Sequence, residues 1–327
     1  MSAGNGKIAV TVSDVVPVNA LVTRFHFRRR DGAPLPTFSG GAHVVVEMRD
    51  GTTARLNPYS LMSSPLDTSE YTISVRRDDA GRGGSLFLHG QVRPGDEMVI
   101  SYPVNLFSLD LRARKHLMIA GGIGITPFLA QIAQLSETAQ LSGEGAPFEL
   151  HYSVRSADLA TYADALRDRY GRRVHIYHDD LDEKIPLGRL LASQPLGTHL
   201  YVCGPSGMID WVRRSAQAEG WPTATVHYEH FAAAKPGTPF EAKLAVSGKT
   251  IAVGENQSLL EAIEAAGVEA PYLCRGGVCG QCETNVLECD GAIEHRDHWL
   301  SDEEHAGTNK IMPCVSRFAG TTLVLER

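Results

Sequence analysis

The stretch Cys274-Arg275-Gly276-Gly277-Val278-Cys279-Gly280-Gln281-Cys282, with Cys314 much later in the chain, decides how this sequence is organised. Its Cys-x4-Cys-x2-Cys spacing with a distant fourth cysteine is typical of the plant-type ferredoxin loop, in which four thiolates hold a 2Fe–2S cluster. The three glycines allow the backbone to wrap tightly and to turn N–H groups towards sulfur. The pattern predicts a 2Fe–2S site on Cys274, Cys279, Cys282 and Cys314. A structural zinc site, which usually has two close cysteine pairs, and free core thiols are the alternatives.

A step in charge coincides with this cysteine cluster. Residues 241–327 contain 14 acidic and 7 basic residues and five of the six cysteines, whereas residues 1–240 are neutral. The whole net charge of -7 therefore belongs to the last quarter of the 327-residue chain, which indicates a separate domain. Cys289 falls outside the ligand spacing, and we expect it to be a buried free thiol. A mildly acidic chain is not expected to bind nucleic acid by broad phosphate attraction.

Residues 231–240 precede this domain and are predicted to be a linker, because Ala232–Pro239 is small and rich in proline and glycine. Beyond the linker, Glu241–Val246 and Thr250–Val253 are predicted to form a hairpin. A helix is predicted over Ser258–Ala266, with Ser258 as its cap and Glu261 completing a capping box.

Residues 111–230 alternate apolar strand candidates with helical stretches, which is typical of a parallel α/β sheet. The strands are predicted at Leu117–Ala120, Phe148–Tyr152, Val174–Tyr177 and Leu200–Cys203, and the helices at Phe128–Leu141, Ala157–Tyr170 and Ser206–Glu219.

The first strand of this region runs into Gly121-Gly122-Ile123-Gly124-Ile125-Thr126-Pro127. We expect Thr126 to cap the helix that follows and Pro127 to lie in its first turn. Bare glycine backbone before a helix N-terminus can bind pyrophosphate, although a turn needed only for packing is the alternative. A second glycine turn, Cys203-Gly204-Pro205, ends another strand, so the two turns together favour a nucleotide site.

Residues 1–110 are predicted to form an antiparallel β-barrel of short strands at Lys7–Ser13, Leu21–Phe27, His43–Met48, Tyr71–Arg76 and Glu97–Ser101. Two motifs in it carry chemistry. Arg55-Leu56-Asn57-Pro58-Tyr59-Ser60 combines a cation, a ring and a hydroxyl, and Arg82-Gly83-Gly84-Ser85 has the composition of a phosphate cradle.

No targeting or membrane segment is expected. Residues Met1–Lys7 lack the layout of a secretion signal. The apolar run His116–Leu135 approaches the length of a membrane span, but glycines and Pro127 interrupt it, so a buried strand, turn and helix are expected. Localised cysteines favour a reducing compartment and hence a cytoplasmic protein, and a monomer is the default expectation.

Eight stretches spread over the chain carry a family resemblance: Pro58–Leu61, Gly81–Ser85, Ala120–Pro127, Cys203–Pro205, His227–Phe231, Cys274–Cys282, His295–Asp297 and Ile311–Arg317. On these stretches the chain resembles the phthalate dioxygenase reductase family. This family includes vanillate O-demethylase reductases and lies within the ferredoxin–NAD(P)+ reductase superfamily. The resemblance implies a multidomain β, α/β and α+β protein. Its parts would be a flavin-binding barrel (1–110), an NAD-binding domain (111–230) and a β-grasp ferredoxin domain (241–327).

The resemblance also implies roles for single residues. Tyr59 and Ser60 would line the flavin ring, and Arg82, Gly84 and Ser85 would hold its phosphate. Thr126 would lie between flavin and nucleotide, Cys203 near the nicotinamide, Glu229 beside the flavin, and Phe231 over the flavin ring. The family's arginine usually stands two residues before the tyrosine, where this chain has Asn57. Arg55, Arg76 or Arg82 would then bind the phosphate. The glycine loop is similar to that of members that use FMN, with FAD as the alternative.

By this resemblance, NADH would reduce the flavin, which can accept two electrons together and release them singly to the cluster. The family's partner is the terminal oxygenase of a Rieske non-haem iron system, and the acidic domain is its expected docking surface. The alternatives are a reductase for a haem or di-iron oxygenase, and a redox carrier or sensor without NADH turnover. Arg155 could favour NADPH, whereas Asp179-Asp180 and the resemblance favour NADH.

Overall fold

The structure is a computed structural model that describes residues 6–51, 53–143, 146–231 and 234–327. The strands between Lys7 and Asn105 form an antiparallel barrel in the strand order β4-β3-β6-β1-β2-β5, with β7 beside β3. Its elements are β1 (Lys7–Pro17), β2 (Val22–Arg29), β3 (Ala42–Asp50), β4 (Thr53–Ser60), β5 (Tyr71–Arg76), α1 (Gly84–Gln91), β6 (Glu97–Ser101) and β7 (Val104–Asn105). The end strands β4 and β5 approach each other, so the barrel nearly closes. Buried and outward-facing side chains alternate along its strands and so form the core. In β1, for example, Ile8, Val10 and Val12 are buried while their neighbours face outward.

The barrel differs from the sequence-based expectation in two places. Residues 53–60, expected only to lie near a strand, form β4, and the glycine loop continues into helix α1. This helix was missed because it has eight residues and buries few of them, including Leu88, which is too short for a helical period to be visible. Phe107 and Leu109 already pack into the second core, just before the predicted boundary at residue 110.

The second domain is a five-stranded parallel sheet in the order β10-β9-β8-β11-β12. Its elements are β8 (Lys115–Gly121), α2 (Thr126–Ser142), β9 (Phe148–Val154), α3 (Ala163–Tyr170), β10 (Val174–His178), α4 (Leu187–Ala192), β11 (Thr198–Cys203), α5 (Ser206–Ala218) and β12 (Val226–Glu229). The chain builds outward from β8 to β10 and then returns to the other side of β8. The direction of winding therefore reverses between β8 and β11, where such sheets open a crevice at the strand ends.

The parallel sheet confirms the four predicted strands, and the structure adds details. The helix predicted over Ala157–Tyr170 is a 3₁₀ turn at Ala157–Leu159 followed by α3, because Tyr162 between them is left-handed (φ 65°). Strand β12 and helix α4 were not predicted. No helix among the described residues is long and apolar enough to cross a membrane.

The third domain contains a five-stranded sheet in the order β14-β13-β17-β15-β16, in which β13 pairs parallel to β17. Its elements are β13 (Phe240–Leu244), β14 (Lys249–Val253), α6 (Leu259–Ala265), β15 (Thr284–Glu294), α7 (Asp302–Ala306), β16 (Lys310–Ile311) and β17 (Arg317–Leu325). The predicted hairpin and the capping box of Ser258 and Glu261 are both present. Buried side chains of α6, including Leu259 and Ile263, close the core over the sheet.

The segment predicted as a linker is tied to the third domain. Ala232 and Ala233 lie outside the described residues, but the carbonyls of Gly237 and Thr238 accept hydrogen bonds from the buried Arg317 guanidinium at 3.0 and 2.7 Å. Arg296 donates to the carbonyls of Lys235 and Pro236. Residues 235–238 are thus part of the surface of the ferredoxin-like domain.

A buried ion pair joins the first and third domains. Arg82, just before α1, donates from Nη1 to Glu261 Oε2 at 2.6 Å, and both side chains are about 5% exposed. Glu261 also accepts from the backbone N–H of Ser258 (2.8 Å) and of Leu56 (3.3 Å). The same carboxylate therefore completes the cap of α6 and fixes this domain to the barrel.

Replacing Arg82 by methionine should leave the Glu261 carboxylate buried without its cation, at a cost of about 3–5 kcal/mol. Calorimetry of the full chain should show a lowered unfolding temperature. Arg30→Met is the matched control, because Arg30 pairs with Glu97 on the surface (60% and 58% exposed) and should change stability by less than about 1 kcal/mol. Equal shifts in the two variants would contradict a structural role for the buried pair.

Candidate functional site

One cavity of about 1290 Å³ lies where the three domains meet. The barrel contributes Asn57–Ser60, Ser74 and residues 76–80 to its wall, the α/β domain contributes Ile123, Thr126 and Tyr228–Phe231, and the third domain contributes Leu273, Cys274, Gly276, Val278, Cys279, Gln281, His298 and Trp299. Pockets for small molecules usually measure about 300–1,000 Å³. This cavity has room for more than one ligand, and all three domains must be docked to form it.

The cysteine loop brings the four predicted ligands together as two pairs. The sulfur atoms of Cys282 and Cys314 are 3.2 Å apart, and the thiol of Cys274 contacts that of Cys279. The Cys279 thiol, together with the backbone N–H groups of Gly276, Val278 and Cys279, lowers the pKa of Cys274; the N–H of Gly276 is 3.3 Å from its sulfur. This electrostatic environment favours thiolate.

The arrangement of the sulfurs fits two metal ions better than one. Tetrahedral zinc would hold all four sulfurs about 3.8 Å apart. Within the described residues, no three of these four sulfurs lie mutually within 4.8 Å. Two adjacent pairs match a cluster in which each iron takes two thiolates. Cys289 lies apart from them, is only partly buried, and packs against the core of the third domain.

The strand β4 explains how Arg55 can act despite its shifted spacing. Side chains two residues apart share one face of a strand, so Arg55, Asn57 and Tyr59 share a face. Arg55 Nε donates to the carbonyl of Arg82 at 2.7 Å and reaches the turn before α1. A Cβ at Gly84 would lie 2.4 Å from Asn57 Nδ2, so the amide of Asn57 packs closely on the backbone of Gly84. The glycine turn and Arg55 therefore lie together beside the cavity.

Two of the predicted phosphate ligands are engaged elsewhere. The Arg82 guanidinium is buried on Glu261, as described above. The Ser85 hydroxyl accepts from the N–H of Asp78 at 2.9 Å. The predicted phosphate role of Arg82 and Ser85 is thus not the one that the geometry favours. Arg55 reaches the turn from β4, and Arg76 is exposed at the end of β5, where it lines the cavity.

The two glycine turns meet at the switch point of the parallel sheet. A Cβ at Gly124 would lie 2.3 Å from the carbonyl oxygen of Cys203, so the turn after β8 packs directly on the turn after β11. Gly121 packs likewise on Pro205, whereas Gly122 is open. The close packing considered as an alternative is thus present, and it extends to Gly204, where a Cβ would lie 3.1 Å from the backbone of Gly121.

The cap predicted for α2 is wrong in detail. A 3₁₀ turn at Gly122–Ile125 precedes the helix, so Thr126 is its first residue and Ile125 occupies the cap position. The Thr126 hydroxyl instead donates to the carbonyl of Ile123 at 3.0 Å. Pro127 lies in the first turn, as predicted. Thr126 still faces the cavity.

Glu229 and Cys203 form a neutral pair of acids at the ends of neighbouring strands. They are partners in the register of β11 and β12. Burial raises the pKa of Glu229 to about 8, and Glu229 Oε2 has no hydrogen-bond partner among the described residues. Burial, and then the Glu229 carboxyl, raise the pKa of the Cys203 thiol well above its usual value. Phe231, two residues on, lines the cavity and is 47% exposed.

A stacked histidine pair was not predicted. His230 and His298 lie face to face with ring centroids 3.7 Å apart, and both line the cavity. His298 is bound to the cysteine loop, because its backbone N–H donates to the carbonyl of Gly277. The two residues are far apart in sequence and belong to different domains, so no local pattern could have linked them.

Glu229→Gln should test the buried carboxyl. Because the folded-state pKa of Glu229 is raised, wild type should lose stability relative to the variant as pH rises from about 5 to about 8, by at least about 1 kcal/mol. The difference should level off above pH 8. Denaturant unfolding across this range measures it, and Glu288→Gln, an exposed carboxyl, should show no such pH dependence. A constant difference for Glu229→Gln would contradict the raised pKa.

Comparison with known proteins agrees with this geometry. Residues 243–319 match the 2Fe-2S iron-sulfur cluster binding domain, and residues 99–226 match the N-terminal domain of the dimethylamine monooxygenase subunit DmmA-like family. The carnitine monooxygenase reductase subunit of Escherichia coli (strain K12) is 46% identical, with 97% of both chains covered. The heme-dependent oxidative N-demethylase beta subunit of Ectopseudomonas mendocina (strain ymp) is 45% identical, covering 97% of this chain and 98% of that protein.

Among solved structures, phthalate dioxygenase reductase, described as a modular structure for electron transfer from pyridine nucleotides to [2Fe-2S], superposes with a TM-score of 0.89. It is 33% identical, and 98% of each chain is covered. The predicted three-part fold is thereby confirmed. The chain belongs to the phthalate dioxygenase reductase-like family of 2Fe–2S oxidoreductases.

Proposed function

We propose that the protein is the reductase component of an oxygenase system and passes electrons from NADH through flavin and a 2Fe–2S cluster to a terminal oxygenase. One observation carries the proposal: residues expected to contact the flavin, residues expected near the nicotinamide and two cluster cysteines line the same cavity. They are Tyr59, Ser60 and Arg76, then Thr126, Glu229 and Phe231, then Cys274 and Cys279. Its volume of about 1290 Å³ suits a flavin ring and a nicotinamide side by side. A carrier or sensor without NADH turnover would have no need for the nucleotide crevice.

The barrel side of the cavity is proposed to hold FMN. Tyr59 and Ser60 would flank the ring system, and burial, which raises the pKa of Tyr59 to about 12, keeps that phenol neutral. Arg55, Gly83 and the N-terminus of α1 would receive the phosphate, with Arg76 as a second cation. FMN is favoured over FAD because the Arg82–Ser85 loop is similar to that of family members that use FMN. Extraction and chromatography of the flavin test this assignment.

The sheet crevice is proposed to hold NADH. Gly121, Gly122, Gly124 and Thr126 would bind the pyrophosphate together with Gly204 and Pro205, and Cys203 would lie near the nicotinamide. The Asp179 carboxylate, which accepts from the Ser153 hydroxyl at 3.2 Å, follows β10, where a ribose 2′-phosphate would be repelled. Arg155 contributes its carbonyl to Asp180 nearby. We propose that this acidic turn selects NADH over NADPH.

When bound, the flavin and the cluster convert a two-electron donor into one-electron transfers. The chain's own residues position and insulate them. Phe231, on the nucleotide side, would cover the flavin until the nicotinamide takes its place. Because their pKa values are raised, Glu229 and Cys203 would be largely protonated at neutral pH and would add little charge beside the reacting rings. Thr126, which lines the cavity, would lie between the two ligands. Cys274 and Cys279 face the same cavity, which makes the path to the cluster short.

The terminal oxygenase is proposed to dock beside the cluster loop. Trp299 is 51% exposed and lies against this loop, since a Cβ at Gly280 would be 2.3 Å from its ring. Exposed Asp302 and Glu303 at the start of α7 follow it directly. This acidic rim would steer a basic surface of the partner. We propose the reducing cytoplasm as the location, because five of the six cysteines are gathered in the cluster-bearing domain and the structure, which describes all six, pairs none of them in a disulfide.

A Rieske oxygenase is the proposed partner by family resemblance, and a haem protein is the second candidate, because the N-demethylase relative is heme-dependent.

Anaerobic addition of NADH should bleach the absorbance of the flavin and of the cluster within the time of one catalytic turnover. Reconstitution with a Rieske oxygenase and with a haem oxygenase should then show which one turns over with NADH. Absence of bleaching would refute the reductase function.

Cys274→Ser should separate the two halves of the path. Loss of one thiolate should disrupt the cluster, so reduction of a one-electron protein acceptor such as cytochrome c should fall by at least about 100-fold, while NADH still reduces the flavin. Stopped-flow absorbance measures both steps. Cys289→Ser, outside the cluster, is the control and should leave both rates unchanged. Undiminished acceptor reduction in Cys274→Ser would show that the path bypasses the cluster.

Neutralising the acidic rim should slow encounter with a protein acceptor. Asp302→Asn with Glu303→Gln should lower the second-order rate roughly threefold to tenfold at low salt and flatten its salt dependence. Glu241→Gln with Glu288→Gln, equal in charge but located on β13 and β15, should change the rate little. If both double variants lower the second-order rate constant by the same factor, the net charge of the protein rather than this surface governs docking.

A further inference from the structure

We propose that the edge of the parallel sheet carries a binding site for a divalent transition-metal ion such as Zn²⁺, formed by Glu149, His151 and His175. Glu149 Oε1 is 3.0 Å from His151 Nε2 and 3.6 Å from His175 Nε2. All three ligand atoms lie within 4.8 Å of one another. Two imidazoles and one carboxylate are a donor set that zinc and iron(II) bind.

The sheet itself places these side chains together. Glu149 and His151 are two residues apart on β9 and therefore share a face. His175 is the direct cross-strand partner of His151 on β10, and the two rings stack in parallel with centroids 4.6 Å apart. The ligands thus depend on two neighbouring strands rather than on loops, which holds them in place before any metal binds.

The surrounding groups orient two of the three ligands. The Tyr177 hydroxyl is 2.8 Å from His151 Nδ1, and Lys115 Nζ is 2.6 Å from Glu149 Oε2. These contacts engage Nδ1 of His151 and Oε2 of Glu149, which point away from the site. They leave Nε2 of His151 and Oε1 of Glu149 facing each other in the site. Burial lowers the pKa of His151 to about 4, so the ring is neutral at pH 7. On metal binding its proton would reside on Nδ1 and be donated to the Tyr177 oxygen.

In two other groups of similar composition the carboxylate has other strong partners. Arg112 donates to both oxygens of Asp110 beside His199 and His227. Asp297 Oδ2, between His295 and His305, already accepts from the backbone N–H groups of Trp299 and Leu300. In the Glu149 group, Oε1 faces both imidazoles at 3.0 and 3.6 Å, and among the residues that the structure describes neither a cation nor a backbone N–H donates to this oxygen.

The position of the site separates it from electron transfer. Glu149 and His175 lie near the amino ends of their strands, whereas the glycine turns lie at the carboxyl ends. His175 is 42% exposed and gives the metal access, while His151 is 2% exposed. Since β10 is the edge strand of the sheet, the ion would cross-link this strand to β9.

Isothermal titration of the holoprotein with Zn²⁺, with the cluster and flavin intact, tests the proposal. We expect one Zn²⁺ per chain and a rise in unfolding temperature on binding. His175→Gln should weaken binding at least about tenfold and abolish the temperature rise, and Tyr177→Phe should weaken it by a similar factor through His151.

The matched control is His178→Gln, which removes a histidine of the same strand that pairs with Glu183 instead. It should retain wild-type affinity. Failure of wild type to bind Zn²⁺ saturably would overturn the proposal. So would equal binding by wild type and His175→Gln, because the ion would then be held elsewhere, for instance at the Asp110, His199 and His227 group.

Discussion

The carboxylate of Glu261 is the constraint on which the arrangement of the molecule depends. It receives Arg82 and the backbone of Leu56 from the barrel and the backbone of Ser258 from its own helix. A buried ion pair gives little net stability, but losing one partner is costly. Here the pair joins Arg82, just before α1, to Glu261 in the first turn of α6, and so fixes the third domain against the barrel. The shared cavity follows from that docking.

Much of the fold could be predicted from periodicity, because the core strands alternate or are continuously apolar. Strands β5 and β6 were predicted with their observed bounds, and the capping box of α6 could be read from Ser258 and Glu261 alone. Short elements such as α1 and β12 could not be predicted. Their few residues carry no visible period, and tertiary packing rather than propensity fixes them.

The site was predictable where one motif supplies several ligands and not where partners come from different domains. The cysteine loop is local, so its spacing alone indicated the cluster. Arg82 has the local sequence of a phosphate ligand, yet its partner is 179 residues away, and no local rule indicates that contact. The even spacing from Arg55 to Tyr59 was interpretable only once β4 was known to be a strand.

The contacts of Arg317 and Arg296 with residues 235–238 have a consequence for how the protein delivers electrons. The connection between the second and third domains is fastened to the third domain, and Glu261 fastens that domain to the first. The ferredoxin-like domain is therefore held in place and does not move between an electron donor and an electron acceptor. If the partner docks at the Trp299 face, as proposed, it must diffuse to a domain that is held in place, and the rate of productive encounters there would limit electron delivery.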